Sequence, residues 1–136
     1  MNKNLRVPYG LSVHGNEEIR AVTKVLKSST QMGKNVSIFE KKISKLFDKK
    51  YGLMCNSGSS ALLLAMETLG FPPGSEIITP ALTFSTTVGY IVKNNWTPVF
   101  VDVEEGTYCI NENKIKNLIT KKTRAVVAPH LMGNIV

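Results

Sequence analysis

The run Cys55-Asn56-Ser57-Gly58-Ser59-Ser60 passes directly into Ala61-Leu62-Leu63-Leu64-Ala65, so small hydroxylated residues stand where an apolar helix must begin. A helix start carries N–H groups with no intrahelical acceptor and the positive end of the macrodipole, a combination that binds phosphate. Gly58 lets a ligand approach the backbone, and Ser59 and Ser60 add hydroxyl donors. The same residues also suit a plain N-cap cluster. The pattern is not a Walker loop, for no Gly-Lys-Ser/Thr follows, and it is not GxGxxG, for it holds one glycine. Phe84 follows Thr79-Pro80-Ala81-Leu82-Thr83 just past an apolar run, placed either to stack on a flat ligand or to fill a core. His130 precedes Gly133 and Asn134 and suits either a cofactor-orienting or a structural role; Asp102 closes another apolar run, and His14 sits in a glycine-bordered arm. No nucleophile–base pair and no metal-ligand spacing stands out.

The elements that position these residues read as follows. Residues 1–15, with Pro8, Gly10 and Gly15, suggest an extended arm. A helix begins near Asn16, with Glu17 and Glu18 against its positive end and Lys24 and Lys27 near its negative end. A second helix begins at Ser37, whose spacing to Glu40 is that of a capping box, and carries Phe39, Ile43, Leu46 and Phe47. Residues 51–56, 76–80, 97–103 and 124–130 read as strands. Residues 60–69, about 84–94, and a segment capped by Asn111 and carrying Ile115, Leu118 and Ile119 read as helices. The helix over 60–69 is apolar nearly all round, which predicts burial on several sides. Strands alternating with helices give an α/β fold with a mostly parallel sheet, whose ligands gather at the strands' carboxyl ends.

A chain of 136 residues is long enough for one real core, and its 43% hydrophobic content excludes disorder for most of its length. The formal charge of +7 is spread over helix faces mixed with acids and lacks interleaved aromatics, so no nucleic-acid surface is expected, and no apolar run approaches the ~18 residues of a membrane span. Cys55 and Cys109 have no partner spacing and read as free thiols. With no apolar h-region after Met1–Arg6, a cytoplasmic location is the expectation.

Read together, these stretches resemble the DegT/DnrJ/EryC1/StrS sugar aminotransferases, pyridoxal-phosphate enzymes of aspartate-aminotransferase fold type I. The resemblance runs through HGNEEIRAVTKVLKSSTQMGKNVSIFEKKISKLFDKKYGL, NSGSSALLLA, GSEIITPALTFSTTVGYIVKNNWTPVFVDVEEGTYCIN and KTRAVVAPHLMGN, in that order. It implies part of a three-layer α/β/α large domain, with residues 1–50 as the N-terminal arm and helices and 51–136 as an incomplete cofactor-binding portion. It also implies that Gly58, Ser59 and Ser60 hold the phosphate of pyridoxal 5'-phosphate and that Phe84 stacks on its pyridine. Asn134, with His130 near it, would lie on the side of the cofactor's hydroxyl. The partners implied are a nucleotide-linked keto sugar, an amino-acid donor and a second copy of the chain. The family's Schiff-base lysine and its aspartate for the pyridine nitrogen are expected beyond Val136. The abrupt end after AVVAPHLMGNIV is likewise that of a chain cut within a domain. HLMGN is closer to a subgroup of 3-dehydratases acting on nucleotide-linked 4-keto-6-deoxy sugars, which use histidine in place of that lysine. A cofactor-free binding domain of the same fold is the third reading.

Overall fold

The computed structural model describes residues 8, 10–31 and 33–136. Chain contacts divide it into a first unit up to Leu53 and a second from Met54 to Val136.

The first unit contains two amphipathic helices. Helix α1 spans Asn16–Ser28, and the Glu18 carboxylate accepts the Gly15 backbone N–H at 2.7 Å, closing its first turn. That bond holds the Glu18 carboxyl below the usual carboxylate range. Helix α2 spans Lys34–Leu46, one turn earlier than the Ser37 cap expected from sequence. The Ser37 N–H already bonds the Gly33 carbonyl at 3.0 Å, so Ser37 lies inside the helix. The strand expected over 51–56 is absent; that segment is irregular. At Gly52 a Cβ would lie 2.6 Å from the Glu40 carbonyl oxygen, so the chain there runs close against the backbone of α2.

The second unit is a small α/β/α sandwich. Helix α3 (Gly58–Glu67) precedes strand β1 (Glu76–Pro80), helix α4 (Ser85–Lys93) and strand β2 (Thr97–Val101); then come the short helix α5 (Glu112–Ile115), a 3-10 turn over Lys116–Leu118, and strand β3 (Thr123–Val126). Among the described residues the sheet has three strands, ordered β2-β1-β3, and both pairings are parallel. β1 is central because its EIITP side chains are apolar toward both faces, the pattern of a doubly covered parallel strand. Ile77 joins Met66, Ile91 and Trp96 on the face covered by α3 and α4. Ile78 joins Val101 and Ile110 on the face covered by Ile115 and Leu118. The Trp96 indole N–H donates to the Phe71 carbonyl at 3.0 Å, satisfying a buried donor.

Three expectations change in detail. β2 stops at Val101 because the Asp102 carboxylate takes the Val103 N–H at 3.0 Å and Val103 turns to bridge Ile110. β3 stops at Val126, with one further ladder bond from Val127 to Ile78, because Pro129 has no N–H to extend it. Helix α3 is buried along one side only: Met66 is buried and Leu62 partly so, while Leu64 remains 43% exposed. Its contacts come from α4 and the sheet, which cover a single face.

Candidate functional site

The second unit carries two features that could hold a ligand. The first is the start of α3. Ser57, not Ser59 or Ser60, is the N-cap: its Oγ accepts the Ser60 N–H at 3.1 Å and donates to Ser60 Oγ at 3.1 Å. The Ala61 N–H bonds the Ser57 carbonyl. Helix geometry therefore leaves the N–H groups of Gly58 and Ser59 pointing outward without intrahelical acceptors. A Cβ built on Gly58 would meet nothing within 4 Å, so the space over this end is open. Gly58 is exposed and Ser59 and Ser60 are half-buried. Two outward N–H groups, a nearby hydroxyl and the helix dipole fit a phosphate ester.

The second feature is an apolar cavity of about 390 Å³ lined by Leu82, Thr83, Phe84, Tyr108, Leu131 and Met132. Phe84 occupies the N-cap position of α4 and is 67% exposed, so the core alternative weighed from sequence does not hold. Its ring is a wall presented to solvent, the disposition that suits stacking by a flat aromatic ligand. The cavity walls do not include Gly58, Ser59 or Ser60.

Asn134 follows the lining residues Leu131 and Met132 and bonds Thr107, the neighbour of Tyr108. Its Nδ2 donates to the Thr107 carbonyl at 2.9 Å, leaving the second amide N–H and Oδ1 for other partners. His130 Nδ1 accepts the Val136 N–H at 3.0 Å, so a neutral ring carries its proton on Nε2. Asp102 serves a corner: Val103 N–H first, then Lys114 at 3.4 Å, hold its carboxyl below the usual range. His14 is exposed in the first unit. Cys109 is buried and Cys55 partly buried, both as free thiols. Asn111 sits at the N-cap of α5, yet its side chain makes no capping bond and its Oδ1 is buried without a partner among the described residues.

Sequence reasoning missed Ser57, Tyr108 and Met132. Ser57 was legible in principle, since its spacing to Ser60 is that of a cap. Tyr108 and Met132 carry left-handed backbone, with φ of 59° and 54°, which residue type does not announce.

The model of the DegT/DnrJ/EryC1/StrS aminotransferase family matches residues 13–136. The chain belongs to that family. Family members similar to it include the spore coat polysaccharide biosynthesis protein SpsC of Bacillus subtilis, 39% identical over 96% of this chain and 34% of that protein. Among solved structures, E. coli GDP-4-keto-6-deoxy-D-mannose-3-dehydratase with bound hydrated PLP superposes with a TM-score of 0.82 and 32% identity, over 90% of this chain and 33% of that one. The PMP form of the putative sugar aminotransferase Spr1654 of Streptococcus pneumoniae superposes with a TM-score of 0.86 and 26% identity, over 96% and 33%. The chain thus spans about one third of the relatives' length, and the α/β fold with a parallel sheet is that of pyridoxal-phosphate-dependent members of the family. Among the described residues no helix is long and apolar enough to cross a membrane.

Proposed function

We propose that the protein carrying this chain is a pyridoxal-phosphate-dependent aminotransferase acting on a nucleotide-linked keto sugar, in the synthesis of polysaccharide or other cell-surface sugars. The observation that supports it most is the pair of features in one unit: an open Gly-Ser-Ser helix start and an exposed phenylalanine over an apolar cavity, in the family's order. Residues 1–50 would supply the arm and helices, and residues 51–136 the beginning of the cofactor-binding portion. An amino-acid donor, a nucleotide sugar and a second copy of the chain are the proposed partners, and the cytoplasm the proposed location.

When bound, pyridoxal phosphate supplies the electron sink and the amino-group exchange. This chain's residues bind and orient it. The N–H groups of Gly58 and Ser59 and the hydroxyls of Ser59 and Ser60 would hold the phosphate, with the α3 dipole adding to the attraction. The Phe84 ring would fix the plane of the pyridine and exclude water from that face. The remaining N–H of Asn134 would serve the hydroxyl side, and His130 would present Nε2–H beside it. Residues 1–136 are assigned no covalent role.

A second reading, a 3-dehydratase of a nucleotide-linked 4-keto-6-deoxy sugar, is favoured by the His130-Leu131-Met132-Gly133-Asn134 turn and by the likeness to the E. coli dehydratase. The test is to incubate the natural gene product carrying this sequence with pyridoxal phosphate, glutamate and such a sugar, then weigh the product. An amino group in place of the carbonyl oxygen identifies the aminotransferase. Loss of the C3 oxygen identifies the dehydratase. An unchanged sugar with no cofactor absorbance between about 300 and 450 nm defeats both.

A further inference from the structure

The turn after β3 and the loop after β2 are joined at one residue. Asn134 donates its side-chain amide to the Thr107 carbonyl at 2.9 Å and accepts Cys109 Sγ–H at its own carbonyl, 3.5 Å away. The loop side is closed on itself: the Glu104 N–H bonds the Cys109 carbonyl at 2.9 Å and the Tyr108 N–H bonds the Glu104 carbonyl at 3.0 Å. Each joined segment carries a large side chain on left-handed backbone, Tyr108 at φ 59° and Met132 at φ 54°. Such a conformation costs free energy in a non-glycine residue and persists where neighbouring bonds enforce it. Both side chains line the cavity walled by Phe84.

We propose that Asn134, besides the cofactor contact proposed above for its free N–H, positions the cavity walls through the N–H it gives to Thr107. By clamping the two segments together it holds Tyr108 and Met132 in the cavity wall, keeping the cavity beside Phe84 wide enough for the flat ring of pyridoxal phosphate. The amide bond carries more of this than the longer thiol contact, because amide donors bond carbonyls more strongly than S–H does. The inference rests on the reading of Phe84 as a ring-stacking wall.

The test uses the natural gene product carrying this sequence and two readouts: amide hydrogen exchange, and pyridoxal phosphate affinity by equilibrium dialysis. Asn134→Asp keeps the shape and removes the donor. It should speed exchange in both 104–109 and 131–134 by about tenfold, the effect of one lost hydrogen bond, and weaken affinity comparably. Cys109→Ala should produce a smaller change of the same kind in both segments, and Cys109→Ser, which keeps a donor, should restore parent values. Should Asn134→Asp fail to fold, the two Cys109 variants decide. Weaker affinity with unchanged exchange at 104–109 would leave Asn134 with its proposed cofactor contact alone and overturn the clamp; so would identical exchange in Cys109→Ala and Cys109→Ser. Unchanged affinity in Phe84→Ala would defeat the ring-stacking reading alone, and the clamp is then judged by exchange.

Discussion

Helices α3 and α4 pack on the same face of the sheet, yet their starts are built for different partners. The start of α3 is polar and partly closed: Ser57 caps Ser60, while the N–H groups of Gly58 and Ser59 stay outward. The start of α4 has no side-chain cap at all; the N-cap position is given to Phe84, whose ring is exposed. Deeper along α4, Thr87 and Ile91 are buried. The same layer therefore holds the fold with residues past the first turn and leaves its first residues open, where the proposed cofactor contacts lie. An anion suits one end and an aromatic ring the other.

The largest effect should come from the buried part. Ile91→Ala empties a fully buried site in the Met66–Ile77–Trp96 cluster and should cost about 2–5 kcal/mol of stability in denaturant unfolding. Phe84→Ala, by contrast, should cost under about 1 kcal/mol without cofactor, because an exposed ring leaves no cavity. It should instead loosen pyridoxal phosphate and alter its absorbance. A loss as large as that of Ile91→Ala in the cofactor-free protein would erase the distinction between holding and offering residues.

The start of α3 divides more finely. Ser59→Ala with Ser60→Ala should weaken cofactor retention by roughly 1.5–3 kcal/mol for each lost bond to a charged group. Ser57→Ala should cost about 1 kcal/mol of folding stability through loss of the cap. The pairing of dialysis and unfolding measurements tells cap from cup; equal cofactor occupancy in the double serine variant and the parent removes the phosphate assignment. Gly58→Ala should be smaller and opposite in sign on the two readouts. Alanine favours the helix by up to about 1 kcal/mol and its Cβ meets open space, whereas a bound phosphate would meet that Cβ.

Much of this architecture was legible. Ile77 and Ile78 point to opposite faces of Glu76–Pro80, so a strand was legible there; its central place in the sheet was not. The extent of the others was not, because Asp102 and Pro129 end ladders by their own bonding, and hydrophobic runs do not reveal where a side chain will take a backbone N–H. The Ser37–Glu40 spacing imitated a cap inside α2, since any residue three positions before a glutamate on a helix has that spacing. Gly58–Ser60 and Phe84 stand out as candidates by type and neighbourhood, and they lie at an open helix start and on an exposed cavity wall; their cofactor roles are proposals. The Asn134–Thr107 bond joins residues 27 positions apart, and a left-handed backbone at Tyr108 and Met132 is not announced by residue type; neither has a local signature.

The smallest expected effect is a response to acid, and it sets a titratable corner against the uncharged start of α3. The Asp102 carboxyl is held below its ordinary range chiefly by the Val103 N–H and then by Lys114. Its folded form thus binds its proton less readily than the unfolded chain does. The resulting stability is fully present above the unfolded value, near pH 4, and is lost as pH falls through the lower folded value. Asp102 is well exposed, so water screens the pair and the change in melting temperature should be slight. Asp102→Asn keeps an acceptor for the Val103 N–H and removes the charge, so its melting temperature should vary less than the parent's between about pH 5 and 2. Ser57, Gly58, Ser59 and Ser60 hold no carboxyl, and Ser57→Ala should lower the melting temperature by the same amount at both ends of that range. An acid response unchanged in Asp102→Asn would assign it to other carboxylates, Glu18 among them, whose bond to the Gly15 N–H gives a shift of the same sign.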